Sequence, residues 1–86
     1  MELKKKVWPE YFEKILTGEK KFELRLADFD IHKGDTIILE EYDPKTKKYT
    51  GRTIRKIAKN IIKVNPTKMY NINDIAKFGF YVITIE

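Results

Sequence analysis

The residues best suited to chemistry are three charged side chains that follow a glycine in the first third of the chain. Gly18 is followed by Lys20, Glu23 and Arg25. A desolvated lysine can act as a base, and a carboxylate can do the same or accept a hydrogen bond from the amino group of a nucleobase. An arginine can bind a phosphate or carboxylate through two parallel hydrogen bonds. This spacing therefore predicts a polar ligand site or, with Lys20 and Glu23 as the reactive groups, a catalytic one.

These residues open a predicted strand that ends near Leu26. Its apolar and charged residues alternate, Phe22, Leu24 and Leu26 against Lys21, Glu23 and Arg25. Because successive side chains of a strand point to opposite faces, the apolar set is predicted to face the core and the charged set the solvent. Lys20 shares the parity of Phe22 and is predicted to point inward at the mouth of the fold. The alternatives without function are an exposed ion pair between Glu23 and Arg25 and a lysine whose ammonium stays in water.

Two aromatic residues near the start of a predicted helix are candidates for stacking on a base. These are Trp8 and Tyr11, and such stacking contributes about 1–3 kcal/mol per base. The alternative is core packing, because Phe12, Ile15 and Leu16 recur at the spacing of a buried helical stripe that either aromatic residue could extend. The predicted ligand-binding residues are therefore Lys20, Glu23, Arg25, Trp8 and Tyr11.

The elements that must position these residues are short strands and one helix. The helix is predicted near Pro9 to Thr17, with Gly18 suited to the left-handed backbone beyond its end. Strands are predicted over residues 2–7, 36–42 and 80–85, a hairpin loop over residues 43–51, and a single helical turn over residues 71–77. The near-continuous apolarity of the last strand predicts that it lies inside the sheet with both faces covered.

Residues 52–64 carry conflicting signals. Ile54, Ile57, Ala58, Ile61 and Ile62 match the spacing of a helix. Their β-branched character and the hairpin loop before them favour a strand instead. A long, bent strand is predicted, mainly because of the family resemblance described below.

Composition excludes several kinds of site. The chain has no cysteine, no serine and a single histidine, His32, which excludes disulfides, serine–histidine dyads and conventional zinc sites. His32 is interpreted as a surface loop residue, and neither a metal nor a cofactor is predicted. With 86 residues and 42% hydrophobic content, the chain is predicted to form a single domain over residues 1–86.

Net charge and hydropathy indicate a kind of partner and a cellular location for this domain. A net charge of +5 favours a polyanionic partner, although 36% charged residues of both signs are also typical of an ordinary solvated surface. A high content of lysine and glutamate is typical of hyperthermophilic proteins. No apolar run is long enough to span a membrane, and no apolar segment follows the basic residues 4–6, so a cytoplasmic location is predicted.

The ordered motifs resemble the ASCH family of the PUA-like superfamily over essentially the whole chain. The resemblance rests on Leu16-x-Gly18-x-Lys20-x-x-Glu23-x-Arg25, on Gly34-Asp35 before the next strand, and on Tyr81-Val82-Ile83 in the last one. The segments Trp8-Pro9-Glu10-Tyr11-Phe12 and Glu41-Tyr42-Asp43-Pro44 resemble a small, uncharacterised branch of that family. The resemblance implies an α+β, mainly β fold: a mixed, mostly antiparallel β-barrel with one helix beside a cleft. It also implies an RNA-related role in which the cleft holds a nucleobase or nucleotide.

A bacterial branch of the same superfamily supplies an alternative function. It resembles an amidohydrolase that removes the acetyl group from acetylated cytidine, with the motif Gly-x-Lys-x-x-Thr-x-Arg. Lys20 matches the catalytic lysine, Glu23 stands where the threonine would be, and Asp74 is the single acid in the stretch before the last strand. We therefore expect a module that binds RNA or a nucleotide, with a hydrolase acting on a modified nucleoside as the alternative.

Overall fold

The computed structural model describes residues 1–64 and 78–86, which form five strands and a helix. Their order is β1 (Glu2–Val7), α1 (Pro9–Leu16), β2 (Phe22–Leu26), β3 (Thr36–Asp43), β4 (Lys48–Val64) and β5 (Phe80–Ile85). The predicted bounds of β1 and β5 are confirmed, and the helix ends one residue before the predicted Thr17. The helical turn predicted over residues 71–77, and Asp74 with it, lies outside the described residues.

The strands form one sheet in the order β1-β3-β4-β5-β2. β1 pairs with β3 in parallel, and the other three pairings are antiparallel. β5 lies inside the sheet as predicted, but only one of its faces is buried, because Tyr81, Ile83 and Ile85 are covered while Thr84 is exposed. The domain is therefore a mostly antiparallel sheet with one short helix. In the described part of the chain, backbone pairing leaves the sheet open between β1 and β2.

The long strand predicted over residues 52–64 is confirmed, and its bend has a clear position. Up to Ile57, β4 pairs with β3, and from Ala58 onward it pairs with β5. The register shifts between Ala58 and Asn60, where the strand changes partner. Such irregularities bend a strand and increase its twist, so β4 connects the two halves of the sheet.

The hairpin loop predicted over residues 43–51 is too long. β3 and β4 remain paired as far as Asp43 and Lys48, and Tyr42 lies opposite Tyr49. The two tyrosine rings meet edge to face, with centroids 5.1 Å apart. Such cross-strand aromatic contacts stabilise antiparallel pairs, and here one extends the ladder into a segment whose lysines and threonines were interpreted as loop.

The core lies between α1 and the inner face of the sheet. Phe12 and Ile15 are each 1% exposed, whereas Leu16, predicted to join the same stripe, is 53% exposed. The buried residues that form the core are Val7, Phe12, Ile15, Ala27, Ile31, Ile37, Leu39, Ala58, Tyr81, Ile83 and Ile85. Phe12 and Ile15 thus pack α1 into the core. The start of the helix stays outside the core.

The predicted orientation of β2 is wrong, and the observed orientation changes which side chains face the inside of the fold. Glu23 is 3% exposed, whereas Phe22 and Leu24 are 50% and 56% exposed. On the outer face, Leu24 lies opposite Val82, which in turn lies opposite Ile62, so the apolar residues form a cross-strand row of their own. The charged face of β2 is therefore the inner one, at the open side of the sheet.

Candidate functional site

The turn after α1 positions Lys20. The amide of Gly18 donates to the carbonyl of Ile15 at 3.1 Å, and Gly18 has φ 82°, a left-handed conformation that glycine adopts without strain. The amide of Lys20 then donates to the carbonyl of Lys14 at 2.9 Å, which returns the chain to the helix end. As a result the Lys20 ammonium lies 5.5 Å from the centre of the Tyr11 ring.

A buried carboxylate organises the charged residues. Glu23 accepts a hydrogen bond from Lys20 Nζ at 3.0 Å on Oε1 and one from Arg25 Nε at 2.8 Å on Oε2. The side chains of Lys20 and Arg25 are 19% and 23% exposed, so each cation keeps one edge in contact with solvent. Both oxygens of Glu23 are thus engaged, and the carboxylate fixes two cations at the open side of the sheet.

Arg25 also connects the two edges of the sheet. Its Nη2 donates to the carbonyl of Lys6 on β1 at 2.9 Å and also lies 2.8 Å from Glu23 Oε2, which accepts from Nε. Nη1 is left without a hydrogen bond from the described residues and is the part of the guanidinium that remains for a ligand. An arginine can bind a phosphate through two parallel hydrogen bonds. In Arg25 only the edge that carries Nη1 remains for such a contact.

The two aromatic candidates line the same space, with Tyr11 beside Lys20. Trp8 immediately precedes α1 and Tyr11 lies in its first turn, so the two rings share a face, with centroids 6.3 Å apart and planes inclined by 23°. They are 49% and 45% exposed and take no part in the core. The alternative, that either ring extends the buried helix stripe, is wrong, and their exposure leaves ring surface free for contact.

All five predicted ligand-binding residues line one cavity of about 490 Å³. Its lining comprises Lys6, Val7, Trp8, Tyr11, Lys20, Phe22, Glu23, Leu24 and Arg25. The structure thus brings together residues that the sequence separates by up to seventeen positions. Sequence reasoning missed Lys6, Phe22 and Leu24. The last two were assigned to the core by the wrong parity, and Lys6 belongs to a basic run that gave no sign of its position.

A second polar cluster has a structural explanation. Arg52 donates from Nε and Nη2 to the two oxygens of Glu41, both at 2.9 Å, and Thr50 donates to the same carboxylate at 2.6 Å. These hydrogen bonds, chiefly those of Arg52, lower the pKa of Glu41, and the carboxylates of Glu41 and Glu13 raise the pKa of Arg52. The cluster holds β3, β4 and α1 together, because Arg52 of β4 pairs with Glu41 of β3 and Glu13 of α1.

His32 is a surface residue, as predicted. Its side chain is 78% exposed, and its backbone amide donates to Asp35 Oδ2 at 2.8 Å. This bond is the main reason that the pKa of Asp35 lies below its usual range. Within residues 1–64 and 78–86 no three acidic or histidine side chains are arranged to hold a metal ion. In the same residues no helix is long and apolar enough to span a membrane.

Comparison with known proteins assigns a family and a fold. The family model of a domain of unknown function, DUF3850, matches residues 3–83, so the chain belongs to that family. No curated protein matches the chain. Among solved structures, the crystal structure of hypothetical protein PH0355 is similar, with a TM-score of 0.75 and 22% identity over 100% of this chain and 98% of that one. This likeness shows a shared fold.

Proposed function

We propose that this DUF3850 domain binds a nucleotide or a segment of RNA in the cavity between α1 and the open side of the sheet. The observation that carries the proposal is the presence, in one cavity, of two exposed aromatic rings, Trp8 and Tyr11, and of cations fixed by a buried carboxylate. The resemblance to ASCH domains supports the same ligand class. The proposal extends to a cytoplasmic location, where such ligands are available.

The chemistry of the cavity suits a ligand with a flat apolar part and an anionic part. Exposed aromatic rings stack on any base through its π-face, which favours a nucleobase on the side of Trp8 and Tyr11. Lys20 uses one of its three donors for Glu23, and Lys6 lies in the same lining without a carboxylate partner in the described residues. Together with Nη1 of Arg25, these ammonium groups favour a phosphate at the charged end of the cavity.

The closed barrel that the resemblance implies is part of the proposal. Backbone pairing leaves β1 and β2 apart, and the hydrogen bond from Arg25 to the Lys6 carbonyl spans the gap between them. Side chains would then close the barrel between β1 and β2, where the strands do not pair. The ligand cavity would lie along this gap, the seam between β1 and β2. Arg25 would then both link β1 to β2 and line the site.

Binding is favoured over the alternative amidohydrolase because of the state of Glu23. To activate a water in place of the missing threonine hydroxyl, this carboxylate would have to reach the water and the substrate, yet its side chain is only 4% exposed. Both of its oxygens accept hydrogen bonds from cations instead, at 2.8 and 3.0 Å. The geometry suits a residue that holds Lys20 and Arg25 in place for a ligand.

Two adjacent lysines provide a matched test of this proposal. Lys20 lines the cavity, whereas Lys21 is exposed and does not line it. Calorimetric titration with adenosine and uridine 5′-monophosphate at low salt should give weak binding to the wild type. We expect Lys20→Gln to lower the affinity about tenfold, the loss expected for one hydrogen bond from a charged group, and Lys21→Gln to leave it nearly unchanged. Equal affinities in both variants, or no binding to the wild type, would contradict the proposal.

A further inference from the structure

A second cavity, of about 400 Å³, lies on the far side of the contact between Arg25 and Lys6. Its lining comprises Lys4, Lys5, Lys6, Arg25, Leu26, Asp28, Phe29, Glu40 and Tyr49. Lys6 and Arg25 line both cavities, so the two spaces share a wall along the seam between β1 and β2. The two cavities therefore adjoin at the contact between Arg25 and Lys6.

The lysines of the second cavity differ from Arg25, which is paired with Glu23. Lys4, Lys5 and Lys6 make no ion pair with any carboxylate of the described residues, although Asp28 and Glu40 share the lining. The ammonium groups of Lys5 and Lys6 lie 3.6 Å and 4.6 Å from the centres of the Phe29 and Tyr42 rings. Partial burial lowers the pKa of Lys5, although the nearby charge of Asp28 acts in the opposite direction. An anion placed among these groups would gain favourable contacts without displacing an existing ion pair.

Aromatic surface accompanies these cations, as it does in the first cavity. Tyr49 is 56% exposed and is held by its edge-to-face contact with Tyr42, 5.1 Å between centroids. Phe29 is half-buried and packs against Tyr81, with centroids 5.3 Å apart. The Lys5 ammonium already covers the Phe29 ring, so the exposed ring of Tyr49 is the stacking surface for a second base.

We infer that the ligand is a single-stranded oligonucleotide that crosses the seam, with one base against Trp8 and Tyr11, a phosphate at the shared wall of Lys6 and Arg25, and the next nucleotide in the second cavity. The inference rests on the proposed function and deepens it by assigning the strand to two adjoining subsites. A single strand is required because each cavity accepts a base only when it is unpaired and splayed from its neighbours.

The test compares ligand lengths and two charge-reversal variants. The ligands are adenosine and uridine 5′-monophosphate, the corresponding 5′-phosphorylated trinucleotides, and a blunt RNA duplex. Lys4→Glu reverses an exposed charge in the second cavity, and Lys33→Glu makes the same change at an exposed position that lines neither cavity. Both substitutions are at exposed side chains, and melting curves check that each variant folds.

The expected result has two parts. A trinucleotide should bind the wild type about tenfold more tightly than its mononucleotide, because one further base stacks and further phosphates are neutralised. Lys4→Glu should remove most of that gain and leave the mononucleotide affinity nearly unchanged, with the salt slope for the trinucleotide reduced by about one. Lys33→Glu should preserve the gain.

Several outcomes would overturn the inference. These are equal affinity for the two ligand lengths, equal weakening of both by Lys4→Glu, and a duplex that binds as tightly as the single strand. Mononucleotide binding without a length effect would reject the second subsite while the proposed function stands. If neither length binds, the proposed function itself fails and takes the inference with it.

Discussion

The buried carboxylate of Glu23 should stabilise the fold as well as the site, and Glu23→Gln tests this directly. The substitution keeps the size and shape of the side chain but removes its charge. A glutamine can still accept a hydrogen bond from one of the two cations, but its amide donor must then face the other. Either Lys20 thereby loses its carboxylate partner, or Arg25 loses Glu23 and keeps the carbonyl of Lys6.

The size of the effect follows from the geometry. A hydrogen bond to a charged group contributes about 1.5–3 kcal/mol, and removing one member of a fully buried ion pair costs about 3–5 kcal/mol. Because Lys20 and Arg25 retain contact with water, at 19% and 23% exposure, the lower range applies. We expect the free energy of unfolding to fall by about 2 kcal/mol, which for a domain of this size lowers the melting temperature by about 8–16 °C.

Urea unfolding followed by circular dichroism measures this change, with Glu19→Gln as the control. Glu19 is exposed, lies in the same turn and makes no ion pair in the described residues, so its substitution changes the net charge equally and should alter the stability by less than about 0.5 kcal/mol. The slope of the unfolding curve should be unchanged in both variants. If Glu23→Gln is as stable as Glu19→Gln, the contacts from Lys20 and Arg25 to Glu23 do not form as described.

Two further predictions concern acid stability and catalysis. Because hydrogen bonds from Arg52 and Thr50 lower the pKa of Glu41 below 4.5, this carboxylate stabilises the fold above that pH and ceases to do so as the pH falls through the lowered value. The urea midpoints of the wild type and Glu41→Gln should therefore differ near neutral pH and converge in acid, and a constant difference would contradict this. The purified protein should release little or no cytidine from acetylated cytidine at elevated temperature, as followed by chromatography. Turnover that is lost in both Lys20→Ala and Glu23→Ala would instead promote the hydrolase.

The sequence was sufficient for the order of elements but not for the direction in which β2 faces. Alternation of Phe22, Glu23 and Leu24 shows that the segment is a strand, yet it leaves open which set points inward. Hydrophobicity favoured the apolar set. The outcome was decided by tertiary context, because the inner face of β2 looks onto the gap beside β1, where Arg25 reaches the Lys6 carbonyl. Nothing in local sequence encodes that gap.

The site was predictable where it depended on short-range spacing. Gly18, Lys20, Glu23 and Arg25 lie close in sequence, so a turn and a strand are enough to bring them together. Trp8 and Tyr11 could be proposed from their position at a helix start. The participation of Lys6 could not be predicted, because it depends on β1 and β2 forming facing edges of one sheet, a consequence of the strand order β1-β3-β4-β5-β2.

The central claim, that a base stacks in the first cavity, is tested most directly by the fluorescence of Trp8. It is the only tryptophan in the chain and is 49% exposed in the cavity lining, so its emission reports on this site alone. Titration with adenosine 5′-monophosphate should quench or shift the emission in a saturable manner, with a midpoint that matches calorimetry and moves to higher concentration in Lys20→Gln. Free N-acetyltryptophanamide corrects for absorption by the nucleotide. Nucleotide binding detected by calorimetry with no change in Trp8 emission would place the ligand elsewhere and contradict the account.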